Sequence, residues 1–354
     1  MGKRKRVAVL TTGGDCSGLN STLFSLIRAC EVRNWELVGI MNGTDGFITG
    51  ENIPLNRETF PYSAINMAGS FIGSVVYKDV CARKEMTWDG SKTTPVYFKL
   101  KEGIAKIKAD CVVMIGGNGS VSWLHSAPEL FAGMQTVYIP KTIDMDVPMT
   151  KNTVGFNTAV NQLSLYIDGI AQSARSHRRW FVVKAMGRNS GHLALRGGMA
   201  AGADAIILPE IDVQLRDLVS FVKGTGRSFG IIVVAEGSDL KVEEIAAALE
   251  GAGFQGRACN ADYFQRGGIS VASDRLLAAE FATAALDALD RGETMVMVRR
   301  DETSEITTVG IDELYDAGIT TNDPNVSNMT VTYDVVSEDD PFLKAARGLG
   351  VFLG

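Results

Sequence analysis

Short, nearly unbroken apolar runs rich in Val and Ile alternate along this chain with longer stretches whose apolar residues recur at helical spacing. The runs at residues 7–11, 37–41, 111–115, 136–140, 180–185, 205–208 and 229–235 lack polar alternation, the pattern of strands covered on both faces. Stretches at 19–31, 100–107, 157–174, 192–201, 242–249 and 274–289 have the helical period, and Asp274 is the expected cap of the last. Strand–helix alternation of this kind predicts an α/β fold with largely parallel sheets flanked by helices. After Gly292 the pattern weakens. TTNDPNV (320–326) reads as turn, and Asp339-Asp340-Pro341 marks a further break.

Polar, glycine-rich or charged clusters sit directly behind the predicted strands. They are GGD (13–15), GGNGS (116–120), TIDMD (142–146), GR (187–188) and EG (236–237). In open parallel sheets, ligands bind at the carboxyl ends of strands. Clusters at so many strand ends therefore point to one composite cleft.

Composition narrows the ligand. The 354 residues carry 35 Lys and Arg against 41 Asp and Glu, a net charge of −6. That balance argues against a general nucleic-acid partner, but not against a small phosphorylated molecule. No apolar run is long enough to span a membrane, and the basic start runs into a strand-like segment, so a cytoplasmic protein is expected. The five cysteines include no C-x-x-C and read as reduced thiols; the three histidines have no zinc-ligand spacing.

Each cluster has a chemistry. TTGGDCSGLN (11–20) is a strand, a glycine turn and a helix start, where backbone N–H groups and the helix N-terminus favour an anion. It is equally readable as a tight turn, and it is neither a Walker-A loop nor a G-x-G-x-x-G fingerprint. IGGNGS (115–120) is a second such turn, and a pair suits a polyphosphate. In PKTIDMD (140–146), one carboxylate can act as general base on a sugar hydroxyl and the other can help hold Mg²⁺. Arg188 in AMGRNSGHLAL (185–195) and Arg266 in YFQRGG (263–268) are embedded in glycine-rich apolar sequence, where a guanidinium suits phosphate.

In this order the clusters resemble the phosphofructokinase family, whose motifs are G-G-D-x-x-G-x-N, G-G-D-G-[ST], T-I-D-x-D, M-G-R, a strand ending in Glu, and Q-R-G-G. The resemblance runs from about residue 7 to about residue 289. It implies a two-lobed fold, with a phosphoryl-donor lobe of residues 1–155 plus about 267–319. A sugar-phosphate lobe of about 156–266 plus 320–354 would complete it, with a cleft between. Gly14, Gly117, Asn118, Gly119, Ser120 and Lys141 would meet the donor. Asp144 would be the base, with Arg188 stabilising the transferring group. Thr142 and Ile143 would line the transfer site. Met186, Gly187, Glu236, Arg257, Tyr263 and Arg266 would hold the sugar phosphate. Arg179 would reach it from a neighbouring subunit of a homodimer or homotetramer. Asp146, with a weaker contribution from Asn118, would organise Mg²⁺. The reaction implied is transfer from ATP to the 1-hydroxyl of fructose 6-phosphate. The alternatives are pyrophosphate as donor, a related sugar phosphate as acceptor, or a non-catalytic regulatory homologue.

The sequence departs from the family pattern in places. Asn118 replaces the Asp of G-G-D-G-S, Met145 the Asn of T-I-D-N-D, and Tyr263 a common His. Val76 stands where many members carry Arg, with Lys78 near it. Gly119 points to ATP, whereas Lys141 resembles pyrophosphate users, and Gly119 is given the greater weight because it leaves room for a nucleotide.

Overall fold

A computed structural model describes residues 4–75, 95–322 and 330–354. Val76 and Lys78 lie outside the described residues, as do positions 323–326 of the turn-rich segment. The chain divides into two compact units. One comprises Met1–Thr142, Val147–Gly155 and Ile269–Tyr333; the other comprises Ile143–Asp146, Phe156–Gly268 and Asp334–Gly354.

The first unit begins with β1 (Arg6–Thr11), α1 (Leu19–Val32), β2 (Glu36–Ile40), α2 (Thr44–Thr49) and β3 (Asn52–Pro54). It continues through α3 (Pro95–Ile107), β4 (Cys111–Gly116), α4 (Asn118–Ser126) and β5 (Gln135–Pro140). The second unit holds α5 (Phe156–His177), β6 (Arg179–Ala185), α6 (His192–Ala200) and β7 (Ala205–Ile207). It also holds α7 (Leu215–Gly224), β8 (Gly230–Ala235), α8 (Val242–Gly251) and β9 (Gln255–Asn260). The chain then returns to the first unit with α9 (Ala272–Asp290), β10 (Val296–Arg300), β11 (Ile306–Gly310) and α10 (Ile311–Ala317). The antiparallel pair β12 (Ile319–Asn322) and β13 (Thr330–Tyr333) follows, and α11 (Pro341–Gly348) closes the second unit.

Among the described residues, the sheet of the first unit runs β11-β10-β5-β4-β1-β2-β3. Its centre is parallel, and the outermost pair at each edge is antiparallel. Ala8, Leu10, Val112, Met114 and Tyr138 share a buried face with α3 and α4, where Phe47, Trp123 and Phe131 pack edge-on. Strand alternation turns Val7 and Val9 to the other face, and α1 and α9 pack against each other. The second sheet is all parallel, in the order β7-β8-β6-β9. Phe352 bridges to Ala205 along the outer edge of β7.

The apolar strands stand where the sequence puts them; three local expectations change. The long helix α9 starts at Ala272 with Val271 at its cap, so Asp274 lies inside its first turn, fully buried. The second glycine motif is only half a turn, because helix α4 begins at Asn118 directly after the strand. Strands β12 and β13 pair antiparallel and are counted with the first unit, so the final crossing between units follows Tyr333.

Candidate active site

In the first unit, two glycine turns lie at the carboxyl ends of adjacent parallel strands. β1 and β4 are paired up to Thr11 and Ile115, and the Thr12 N–H extends the ladder to the Ile115 carbonyl at 2.9 Å. Gly13 has φ +81 and Gly18, the cap of α1, φ +109. These left-handed conformations favour glycine. Behind β4, Gly117 caps α4, which places the first-turn N–H groups of Asn118 and Gly119 at a helix N-terminus, the side of the dipole that attracts anions, while the Ser120 N–H donates to the Gly117 carbonyl at 2.9 Å.

Lys141 fastens both turns. Its backbone N–H donates to the Gly116 carbonyl at 2.7 Å, and its Nζ donates to the Gly14 carbonyl at 2.5 Å. The side chain is only 2% exposed. A buried ammonium needs acceptors around it, and here a carbonyl of the first turn supplies one. Tyr138 Oη donates to the Gly117 carbonyl at 2.7 Å and holds the second turn from below. Thr142 is buried, and its carbonyl accepts from Thr153 Oγ1 at 2.8 Å.

The second unit takes over inside the same motif. Ile143, Met145 and Asp146 are buried and Asp144 is half-buried. Met145 has φ +58, a left-handed conformation costing a non-glycine residue about 1–2 kcal/mol. The Asp146 carbonyl accepts from the Asp334 N–H at 2.9 Å.

The Met186–Arg188 loop shows the most explicit construction. Its strand, β6, runs between β8 and β9, and where the ladders stop three successive backbone donors would otherwise be orphaned. Side chains from both neighbours meet them. Gln265 Oε1 accepts from the Met186 N–H at 3.0 Å. Glu236 Oε1 accepts from Gly187 at 3.2 Å and Arg188 at 2.7 Å. Arg188 is exposed and left-handed at φ +53. Gly237 lies so close to the Arg188 carbonyl that any Cβ there would collide with it. Further on, the Gly191 N–H donates to Glu210 Oε1 at 2.8 Å, which also accepts from Val336 at 2.9 Å. Burial pushes the Glu210 carboxyl above its ordinary pKa.

The remaining sugar-phosphate candidates separate into two groups. Tyr263 and Arg266 lie on the short helical turn Asp262–Arg266 just past β9. The Arg266 guanidinium lies over the Tyr263 ring at 5.3 Å, and the ring is 72% exposed. Arg257 and Arg179 are elsewhere. Arg179 opens β6, and Arg257 pairs with Phe181 two residues along it, so both side chains share one face near the start of these parallel strands. Arg257 is ion-paired to Glu250 at 2.6 Å and Arg179 donates to Gln255 at 3.1 Å. Met186 lies just past the opposite end of β6, seven residues from Arg179, about 23 Å away at strand rise. Within one chain, the structure places Arg257 with Arg179 and not with Arg266.

Three positioning residues escape motif-by-motif reading: Glu210, Gly237 and Gln265. Glu210 lies three residues past the end of β7, so the strand-end regularity that marks the other clusters extends to it. Gly237 and Gln265 were visible only as neighbours of marked residues.

Glycine turns at the ends of parallel strands, an Asp-bearing loop and an arginine loop pinned by carboxylate define a phosphate-handling α/β protein. The chain belongs to the phosphofructokinase family, whose model (Phosphofructokinase) matches residues 6–289. It is 33% identical over 374 residues to the ATP-dependent 6-phosphofructokinase of Thermosynechococcus vestitus, covering 99% of this chain and 93% of that protein. It is 35% identical to the ATP-dependent 6-phosphofructokinase of Lactobacillus delbrueckii subsp. bulgaricus, covering 88% of this chain and 94% of that one. The solved phosphofructokinase of Saccharomyces cerevisiae superposes with a TM-score of 0.73 at 25% identity, over 88% of this chain and 45% of the longer yeast chain. A pyrophosphate-dependent phosphofructokinase from Marinobacter aquaeolei shares the fold, with a TM-score of 0.76 at 19% identity over 99% of this chain and 92% of that one.

Proposed function

We propose that this protein transfers the terminal phosphoryl group of ATP to the 1-hydroxyl of fructose 6-phosphate, giving fructose 1,6-bisphosphate. The observation that carries the reading is the Met186–Arg188 loop. Its backbone donors are taken up by Glu236 and Gln265, which presents the exposed Arg188 side chain from a fixed, left-handed backbone. A preorganised cation of this kind is what phosphoryl transfer asks of a protein, since its catalysis is mostly positioning and charge neutralisation.

The donor is met by the first unit, through Gly14, Gly117, Gly119, Ser120 and the N-terminus of α4. Asp144 takes the proton from the sugar hydroxyl. Arg266 and Tyr263 hold the phosphate of the acceptor. Glu236 Oε1 is committed to the loop, so a contact with sugar hydroxyls falls to Oε2. Lys141 is fastened to the Gly14 carbonyl, so it serves the loop as a brace and does not argue for pyrophosphate. Among the described residues, no group of three or more His, Cys, Asp or Glu side chains offers a cage for a metal. Mg²⁺ is commonly held by one or two protein oxygens, water and substrate phosphates, so it is assigned to the nucleotide and a small number of protein oxygens. Asp146 and the side-chain carbonyl of Asn118 are the protein oxygens assigned to it. Arg179, with Arg257 beside it, is assigned to the acceptor phosphate of a neighbouring subunit, which makes the working form a homo-oligomer.

The test is a coupled assay for fructose 1,6-bisphosphate with Mg²⁺, run with ATP and with pyrophosphate in parallel. Turnover with ATP and little with pyrophosphate is expected. The reverse pattern would move the donor assignment to Lys141, and no turnover with either donor would overturn the reading.

A further inference from the structure

We infer that Gln265 is a positioning residue that sets the spacing between the two halves of the acceptor site: the Met186–Arg188 loop and the Tyr263–Arg266 turn. The inference rests on the reading that both halves bind the sugar phosphate. β6 and β9 are paired in parallel as far as Lys184 and Asn260. Beyond that register the two strands are no longer laddered, and among the described residues the ladder continues only as the Ala261 N–H donating to the Lys184 carbonyl at 3.4 Å. The next inward-facing group on the β9 side is the Gln265 side chain. It is 1% exposed, whereas its neighbours Tyr263 and Phe264 are 72% and 50% exposed.

Its two polar ends are used in opposite senses. Oε1 accepts from the Met186 N–H at 3.0 Å, and Nε2 donates to the Asp262 carbonyl at 3.1 Å. The network fixes the orientation of the amide, since an N–H demands the oxygen and a carbonyl demands the nitrogen. One end therefore holds the loop that carries Arg188, and the other holds the turn that carries Tyr263 and Arg266. No other neutral side chain of this length both accepts and donates. A Glu keeps the acceptor and loses the donor, and a Met of similar length has neither. Below the same segment, Gln162 packs where a Cβ on Gly268 would stand, so the turn has little room to settle elsewhere. Gln265 itself is aimed at backbone, not at the ligand, and acts through the groups it holds.

The experiment compares the full-length protein with Gln265→Met and Gln265→Glu, each alone and in an Arg266→Ala background. KM for fructose 6-phosphate, KM for ATP and kcat are read by the coupled assay. Gln265→Met is expected to raise KM for fructose 6-phosphate about tenfold, the equivalent of one to two neutral hydrogen bonds, with KM for ATP unmoved. Gln265→Glu should give a smaller rise. In the Arg266→Ala background the rise should shrink, because the turn no longer presents its cation. A fall in kcat with KM for fructose 6-phosphate unchanged would reduce Gln265 to a structural residue and overturn the inference, as would an equal rise in both backgrounds. If Gln265→Met does not fold, the Gln265→Glu pair decides the matter by the same criteria. An unaltered protein that fails to saturate with fructose 6-phosphate would sink the functional reading and this inference with it. A saturable one with unmoved variants would sink the inference alone.

Discussion

Replacing Glu236 separates two roles that a carboxylate at a strand end can play. If it acts as the acceptor for the arginine loop, Glu236→Leu removes hydrogen bonds of 3.2 and 2.7 Å from Gly187 and Arg188. Bonds to a charged acceptor contribute about 1.5–3 kcal/mol each. Arg188 is exposed, so water recovers part of that loss, but its left-handed backbone then relaxes and releases about 1–2 kcal/mol in favour of the wrong conformation. A net bias of about 2–3 kcal/mol against the working loop follows, and kcat/KM for fructose 6-phosphate should fall by about 30- to 150-fold. Glu236→Gln keeps an acceptor and loses only the charge assistance, about 0.7 kcal/mol per bond over the two bonds, so its loss should stay near tenfold. The assay is steady-state turnover with fructose 6-phosphate varied at saturating ATP. Gly237→Ala offers a control, since its methyl presses on the Arg188 carbonyl with the carboxylate intact, and it should fall on the same side as Glu236→Leu. Equal losses for Glu236→Gln and Glu236→Leu would refute the reasoning, because then the charge and not the backbone acceptor would matter.

Other expectations follow from the same chain. Asp144→Ser should lower kcat by about 10²–10⁴-fold with KM for fructose 6-phosphate nearly constant; retained turnover would move the base elsewhere. Burial pushes the Cys30 thiol up to about 12 and Cys111 up to about 11. Neither should be alkylated by iodoacetamide at pH 8 in the native protein, and peptide mapping would read it. Burial also raises Glu210 above its ordinary 4.5, so its protonated form favours folding and stability is lost as pH rises through the raised value. Glu210→Gln should therefore raise Tm at pH 7.5 relative to the unaltered protein and leave it nearly level at pH 4; a lowered Tm at pH 7.5 would contradict this.

The interior of the fold was legible because parallel strands covered on both faces cannot alternate, and their apolar runs stand out from any register. β9 escaped for the same reason. As the edge of its sheet it exposes Gln255, Arg257, Ala258 and Asn260, and QGRACN has no apolar signal to read. β10 and β11 alternate only weakly, since one face meets α9 and the other carries Arg299, Thr307 and their neighbours. Glycines at the start of α4 disguise a helix that opens at Asn118. Among site residues, Arg188 stands out from local sequence, whereas Lys141 stands out only through the family resemblance. That Arg257 lies with Arg179 cannot be read locally, because it depends on a pairing between strands some 75 residues apart. The resemblance implies a sugar contact for Glu236. Its hold on the loop is a contact across a strand pair, which no spacing along the chain encodes.

The bridge between Phe352 and Ala205 carries a practical lesson for anyone handling this protein. Phe352 donates to the Asp204 carbonyl at 3.0 Å and accepts from the Ile206 N–H at 2.9 Å, while its ring stacks on Phe221 at 4.9 Å. Those contacts blunt the outer border of the all-parallel sheet. Trimming the chain back to Gly350 would bare a short Ala-Ile-Ile border with open donors and acceptors, a template on which a second molecule can add its own strand. Shortened preparations should therefore gather into soluble aggregates before they lose any catalytic residue, and light scattering would register the change ahead of an activity assay.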